Sequence, residues 1–327
     1  AIEIDTTFAV AHCWLAYSLG IFKVANPLSD LSQERELILR AQRYARNTTD
    51  MERAYIEIVD AFLQRDLQTV IVLSKKAIEQ YQDERDFYRN LSIAYGYSGK
   101  PESAIQSLVR ELEIDNDVAN TYLLMAYNYS RLNDHEKAIS AVRNYITLQP
   151  DVFNTYDSAI DIYLKAGRYD EALQICEKAL IINPDWTEFI QMQGIIYLFM
   201  GDGDQARDKN SIARKVRPDR ESTLTDDLGC FALYEGRYRE AAEAFKKVVG
   251  LAKEERNTRD EINARLVLGK LYSVQKAYAL ALKEFSAVKA LSLKLENQSY
   301  NTWPVRADYY WGVTAIDKGE LEGAHTA

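Results

Sequence analysis

Apolar side chains recur at three- and four-residue intervals along most of this chain, in blocks separated by short polar turns. One block sets Tyr122, Met125, Ala126 and Tyr129 on one face of a helix, and the next does the same for Ala138, Ile139, Val142 and Tyr145. The link between them around Asn133 is short, so the pattern predicts two antiparallel helices joined by a tight turn. The pair then repeats. Gly99, Asn133, Gly167 and Gly201 are 34 residues apart, and Gly236 follows after 35. Ala104, Ala138, Ala172 and Ala206 keep the same step, with Ala241 next, and Pro150, Pro184 and Pro218 close three successive units. Each landmark has a mechanical reason. The glycine sits just past the first helix, where the backbone turns left-handed, and asparagine is the best substitute there. The alanine lies where the two helices cross most closely. The proline ends the second helix, because it lacks an N–H and clashes with the preceding turn.

A 34-residue period with these landmarks resembles the tetratricopeptide repeat family. The stretch from 159 to 184 (Ala159-Ile160, Tyr163, Gly167, Ala172, Ala179, Pro184) is nearest to the motif. The first two units depart from it most, with Val70 where alanine is usual. Taking the turn glycine as the fifteenth position, about nine units start at Ala9, Met51, Arg85, Ala119, Phe153, Thr187, Ser222, Ile262 and Val305. The resemblance implies an all-α fold: a right-handed superhelical solenoid of stacked antiparallel helix pairs, one array over 1–327 with one continuous core. Wider spacing towards the two ends implies longer helices or loops, as at Asn26-Pro27-Leu28-Ser29-Asp30. Residues 1–5 resemble the tail of a second helix and residues 319–324 the opening of another. Incomplete units at both ends, and a fragment of a longer protein, are therefore expected. The segment Asp50-Met-Glu-Arg-Ala-Tyr-Ile56 resembles repeat regions attached to bacterial serine/threonine kinases, cyclases and transcriptional regulators. That likeness implies the sensor or scaffold part of a signalling protein.

Composition narrows the partner. A formal charge of −9 argues against nucleic acid, which needs a basic footprint. No run of 18 apolar residues is present, so no membrane span is expected. The cysteines (Cys13, Cys176, Cys230) are widely separated and read as free thiols of a reducing compartment or as small core residues. A cytoplasmic location follows, or a periplasmic one if the region hangs from a membrane-anchored kinase.

Little here points to catalysis. His12, His135 and His325 stand apart from one another and from the cysteines, which leaves no zinc spacing, and His135 reads as a packing residue beside a turn. Gly201-Asp-Gly-Asp204 falls at the inter-helix turn and lacks the ligands of a calcium loop. No catalytic residue, metal or cofactor is expected. Arg207, Lys209, Arg214, Lys215, Arg217 and Arg220 make one second helix basic, either as a docking patch for an acidic partner or as a solvated outer face. Gln193 and Asn210 occupy facing positions that are usually apolar, and they are expected to hydrogen-bond each other or a shared water.

In the family, positions 2, 5, 9, 12 and 13 of the first helices line a concave groove. By register, the peptide-binding residues are Tyr55, Arg89, Tyr97, Asn120, Tyr127, Arg131, Asn154, Asp157 and Asp161. Aromatic rings interleaved with guanidinium and amide groups suit an extended peptide. The Lys–Asn pair that clamps a C-terminal carboxylate in some family members is missing. Alternatively these side chains satisfy one another along the wall. The expected function is a non-catalytic scaffold for protein or peptide. The alternative is a self-association module that forms homo-oligomers through its terminal helices.

Overall fold

The structure, a computed structural model, describes residues 7–21, 23–24, 30–218, 221–293, 310 and 313–314. The loop at 26–29, the terminal pieces at 1–5 and 319–324, Arg220, His325 and the start of the unit at Val305 lie outside the described residues. The described residues form sixteen α-helices in sequential antiparallel pairs, with one short 3-10 turn (Ala45–Asn47). The chain divides into two compact units, Ala1–Arg168 and Tyr169–Ala327. The first holds α1 (Ala9–Gly20), α2 (Ser32–Tyr44), α3 (Asp50–Leu63), α4 (Leu67–Gln80), α5 (Arg85–Tyr97), α6 (Pro101–Ile114), α7 (Ala119–Arg131), α8 (His135–Leu148) and α9 (Phe153–Lys165). The second holds α10 (Tyr169–Ile182), α11 (Glu188–Phe199), α12 (Gly203–Val216), α13 (Glu221–Tyr234), α14 (Tyr238–Glu254), α15 (Thr258–Val274) and α16 (Tyr278–Leu293). Within each unit a helix packs on its predecessor and on its successor, as α5 does on α4 and α6.

The turns explain why the helices stop where they do. Gly99, Gly167, Gly201 and Gly236 have φ between 69° and 81°, and Asn133 has 57°. Each turn is closed by the same two backbone bonds; between α7 and α8 Asn133 N–H reaches Ser130 O at 3.0 Å and Asp134 N–H reaches Tyr129 O at 3.0 Å. Arg65 (62°) and Lys276 (59°) stand at the same register position and carry the strain of a left-handed side-chain-bearing residue. The next helix begins at once. Asp66, Asp134 and Asp202 cap α4, α8 and α12 by accepting from Thr69, Lys137 and Gln205 N–H, while Pro101 opens α6. Gly201-Asp-Gly-Asp204 is therefore a turn and a cap. Residues 50–56 also have a local use: Thr49 and Glu52 form a capping box on α3, Arg53 donates to Thr48 O at 2.5 Å, and Ile56 is buried.

Burial follows the repeat. Ala104, Ala138, Ala172, Ala206 and Ala241 are buried, and Val70 is buried at the equivalent position. A second rule emerges at the eighth and twenty-fourth positions, 16 residues apart. The buried occupants are Ile58 and Ser74, Ser92 and Leu108, Ala126 and Val142, then Gly229 and Phe245, and Gly269 and Phe285. In these five units a small residue opposes a larger one, so the two helices keep their distance without a void or an overlap. A Cβ on Gly229 would come within 2.9 Å of the Phe245 ring. Tyrosines at the eleventh position are also structural: Lys75 lies 5.8 Å from the Tyr95 ring, Lys137 5.5 Å from that of Tyr129, and Arg143 donates to Tyr163 Oη at 3.1 Å.

Candidate functional site

The nine groove residues all lie in the first unit, on α3, α5, α7 and α9. They separate into a closed part and an open part. Tyr55 belongs to the closed part, with 9% exposure. Its ring stacks on Trp14 of α1 at 5.0 Å and tilts against Tyr17, and burial raises the pKa of its hydroxyl. Register alone places Tyr55 on the wall; the packing of α1 over α3 covers it.

Arg89 is held as well. Its guanidinium pairs with Glu111 at 2.5 Å and with Asp86 at 3.2 Å, and the Glu111 side chain has no exposure at all. Burial pushes the Glu111 carboxyl above its ordinary value, with Arg89 acting in the opposite direction. Arg89 is thus paired with carboxylates that are not themselves groove residues. Glu111 went unnoticed in the sequence although a carboxylate is out of place at its register, which Ala77, Tyr145, Ala179, Ala213, Val248 and Val288 fill with buried side chains in other units. Tyr97 is half-buried, and its hydroxyl donates to Ile21 O at 3.2 Å.

The open part runs over α7 and α9. Asn120, Arg131, Asn154 and Asp157 are exposed, and Tyr127 and Asp161 are half-buried. Arg131 Nη1 donates to Gly96 O at 2.8 Å, at the carboxyl end of α5 where a cation is favoured. A Cβ at 96 would sit 3.3 Å from the guanidinium, a tight approach that Arg131 would meet by a small shift. Lys165 pairs with Asp161 at 2.7 Å and lies 5.4 Å from the Tyr127 ring. Desolvation and, after it, the neighbouring Asp161 raise the Asp157 carboxyl.

In the second unit α12 is basic, but its arginines are engaged. Arg207 pairs with Glu235 and Asp204, Arg214 with Glu221, and Arg217 with Glu188. Gln193 and Asn210 are both buried, and Asn210 Oδ1 accepts from Arg214 Nε at 3.2 Å, a partner not foreseen from the sequence. An acidic pair on α13 also escaped notice. Gln191 donates to Asp227 at 2.6 Å, and Cys230 Sγ lies 3.9 Å from Asp226. Burial first, and then Asp260 for Asp226, push both carboxyls up to about 6, and burial pushes the Cys230 thiol up to about 12. The signal was two adjacent aspartates inside an apolar helix. Among the described residues, no group of three His, Cys, Asp or Glu side chains could hold a metal, and no helix is long and apolar enough to cross a membrane.

Paired helices with left-handed turns at a fixed register define a helical repeat protein. The tetratricopeptide repeat family model matches residues 123–185 and 227–292, so the chain is similar to that family over these two stretches. A tetratricopeptide repeat protein from Parabacteroides merdae is similar in fold at 17% identity, covering 81% of this chain and 98% of its own, with a TM-score of 0.56. The MamA protein covers 52% of this chain and 93% of its own at 21% identity and TM-score 0.46. The Cut9–Hcn1 tetramer of the APC/C covers 88% and 54% at 17% identity and TM-score 0.43. A comparison with curated proteins found no match.

Proposed function

We propose that the chain is a non-catalytic scaffold that docks an extended segment of a partner protein on the open faces of α7 and α9. The observation that carries this reading is the row of exposed donors and acceptors on two consecutive first helices: Asn120, Arg131, Asn154 and Asp157. Amides can hold a peptide backbone, and the half-buried Tyr127 supplies rigid apolar area beside them. A photo-crosslinking amino acid at Tyr127 should trap a partner that the same residue at Val109, an exposed position on α6, does not. Equal trapping at both positions would overturn the groove. Placement in a signalling protein rests on the likeness of residues 50–56 alone, whose side chains also have the helix-starting role described above.

One observation favours the self-association reading. α1 is apolar on nearly all sides and exposes Trp14 at 42%, Leu15 at 40% and Leu19 at 38%. If that face joins two copies, light scattering should show mass rising with concentration, and Leu15→Glu with Leu19→Glu should abolish the rise.

A further inference from the structure

The open strip carries a charge pattern that specifies its ligand further, on the footing of the docking reading above. Four charged side chains stand on or beside it. Arg131 is spent in part on Gly96 O, and Lys165 on Asp161. Asp157, one turn from Asp161 on α9, faces solvent with no cation beside it among the described residues. Lys165 shows what this corner accepts: an alkylammonium set between a carboxylate and an aromatic face, 2.7 Å from Asp161 and 5.4 Å from the Tyr127 ring. One unit earlier, the positions equivalent to Asp157 and Asp161 are Leu123 and Tyr127, both half-buried. The strip therefore offers an apolar seat on α7 next to an anionic seat on α9.

We infer that the docked segment is an extended peptide with a lysine or arginine side chain over Asp157 and Asp161, and an apolar side chain over Leu123 and Tyr127. The spacing follows from geometry. Packed helices lie roughly 8–10 Å apart, and an extended chain advances about 3.3 Å per residue. The basic and apolar residues of the ligand are thus about three positions apart. The exposed amides of Asn120 and Asn154, at one register position of the two units, run beside both seats and are free to bond the peptide backbone.

The test is selection of a random dodecapeptide display library on the full chain, followed by titration of one selected peptide. Selected sequences should be enriched in a basic residue about three positions from an apolar one. Replacing the basic residue of the chosen peptide with alanine should weaken binding roughly ten-fold, the scale of a desolvated charge pair. With Asp157→Asn the same peptide change should have little effect, and circular dichroism should show an unchanged fold, because that carboxylate is exposed. Enriched peptides without a basic residue, or an undiminished lysine effect in Asp157→Asn, would overturn this inference and leave the groove standing. Selection of no peptide at all would sink the groove itself and this inference with it.

Discussion

The opposed eighth and twenty-fourth positions make a prediction whose sign can be worked out. Gly269 in α15 and Gly250 in α14 are both helical glycines, so alanine at either should gain about 1 kcal/mol of helix propensity. Their surroundings differ. A Cβ on Gly250 meets nothing within 4 Å, whereas one on Gly269 would overlap the Phe285 ring at three atoms. Phe285 is only 1% exposed, so the ring has no room to swing aside. Overpacking of this kind costs roughly 1–3 kcal/mol. Gly250→Ala should therefore stabilise the second unit by about 1 kcal/mol, while Gly269→Ala should be neutral to destabilising by up to about 2 kcal/mol. Because the propensity gain is common to both, the difference between the two variants reports the strain alone. Urea denaturation followed by circular dichroism gives that difference, and hydrogen exchange of the α15 amides localises it. Gly269→Ala combined with Phe285→Leu should be less destabilised than the sum of the single changes. Should Gly269→Ala prove as stabilising as Gly250→Ala, the volume-exchange reasoning fails.

The buried pair in the first unit invites a cycle: Arg89→Leu or Glu111→Leu alone should cost about 3–5 kcal/mol, and the double change much less than the sum. Additive losses in urea melts would show that the pair is not coupled. At the turns, Gly201→Ala should destabilise by about 1–2 kcal/mol, because φ is 81° there with open space around it, and Arg65→Gly should stabilise. Thermal melts that leave both unchanged would contradict the left-handed assignment. Asp226 and Asp227 titrate near 6 in the folded chain against an ordinary 3.8, so their contribution to stability is full below about 3.8 and lost as pH rises through about 6. The second unit should thus melt higher at pH 5 than at pH 7.5, and Asp226→Asn with Asp227→Asn should flatten that slope; an equal melting temperature at both pH values in the parent chain would refute the shift.

The repeat was legible because its determinants are local. A left-handed turn residue, a capping aspartate and a helix period act within a few residues, so Gly99, Asn133 and Gly201 announced themselves without knowledge of the fold. Arg65 and Lys276 did not, since nothing in an arginine or lysine favours positive φ; packing of the flanking helices imposes it. The small-against-large exchange at positions 8 and 24 was equally hidden, because each residue looks unremarkable until its partner 16 residues away is placed opposite. For the site, the sequence named the register but not the neighbours. Tyr55 and Arg89 carry groove positions, and only the tertiary structure lays Trp14 over the one and turns the buried Glu111 towards the other. Asp157 and Asn120, at groove positions of the same kind, are exposed. Periodicity fixes which way a side chain points from its own helix, while accessibility and charge balance are settled by helices far away in the chain.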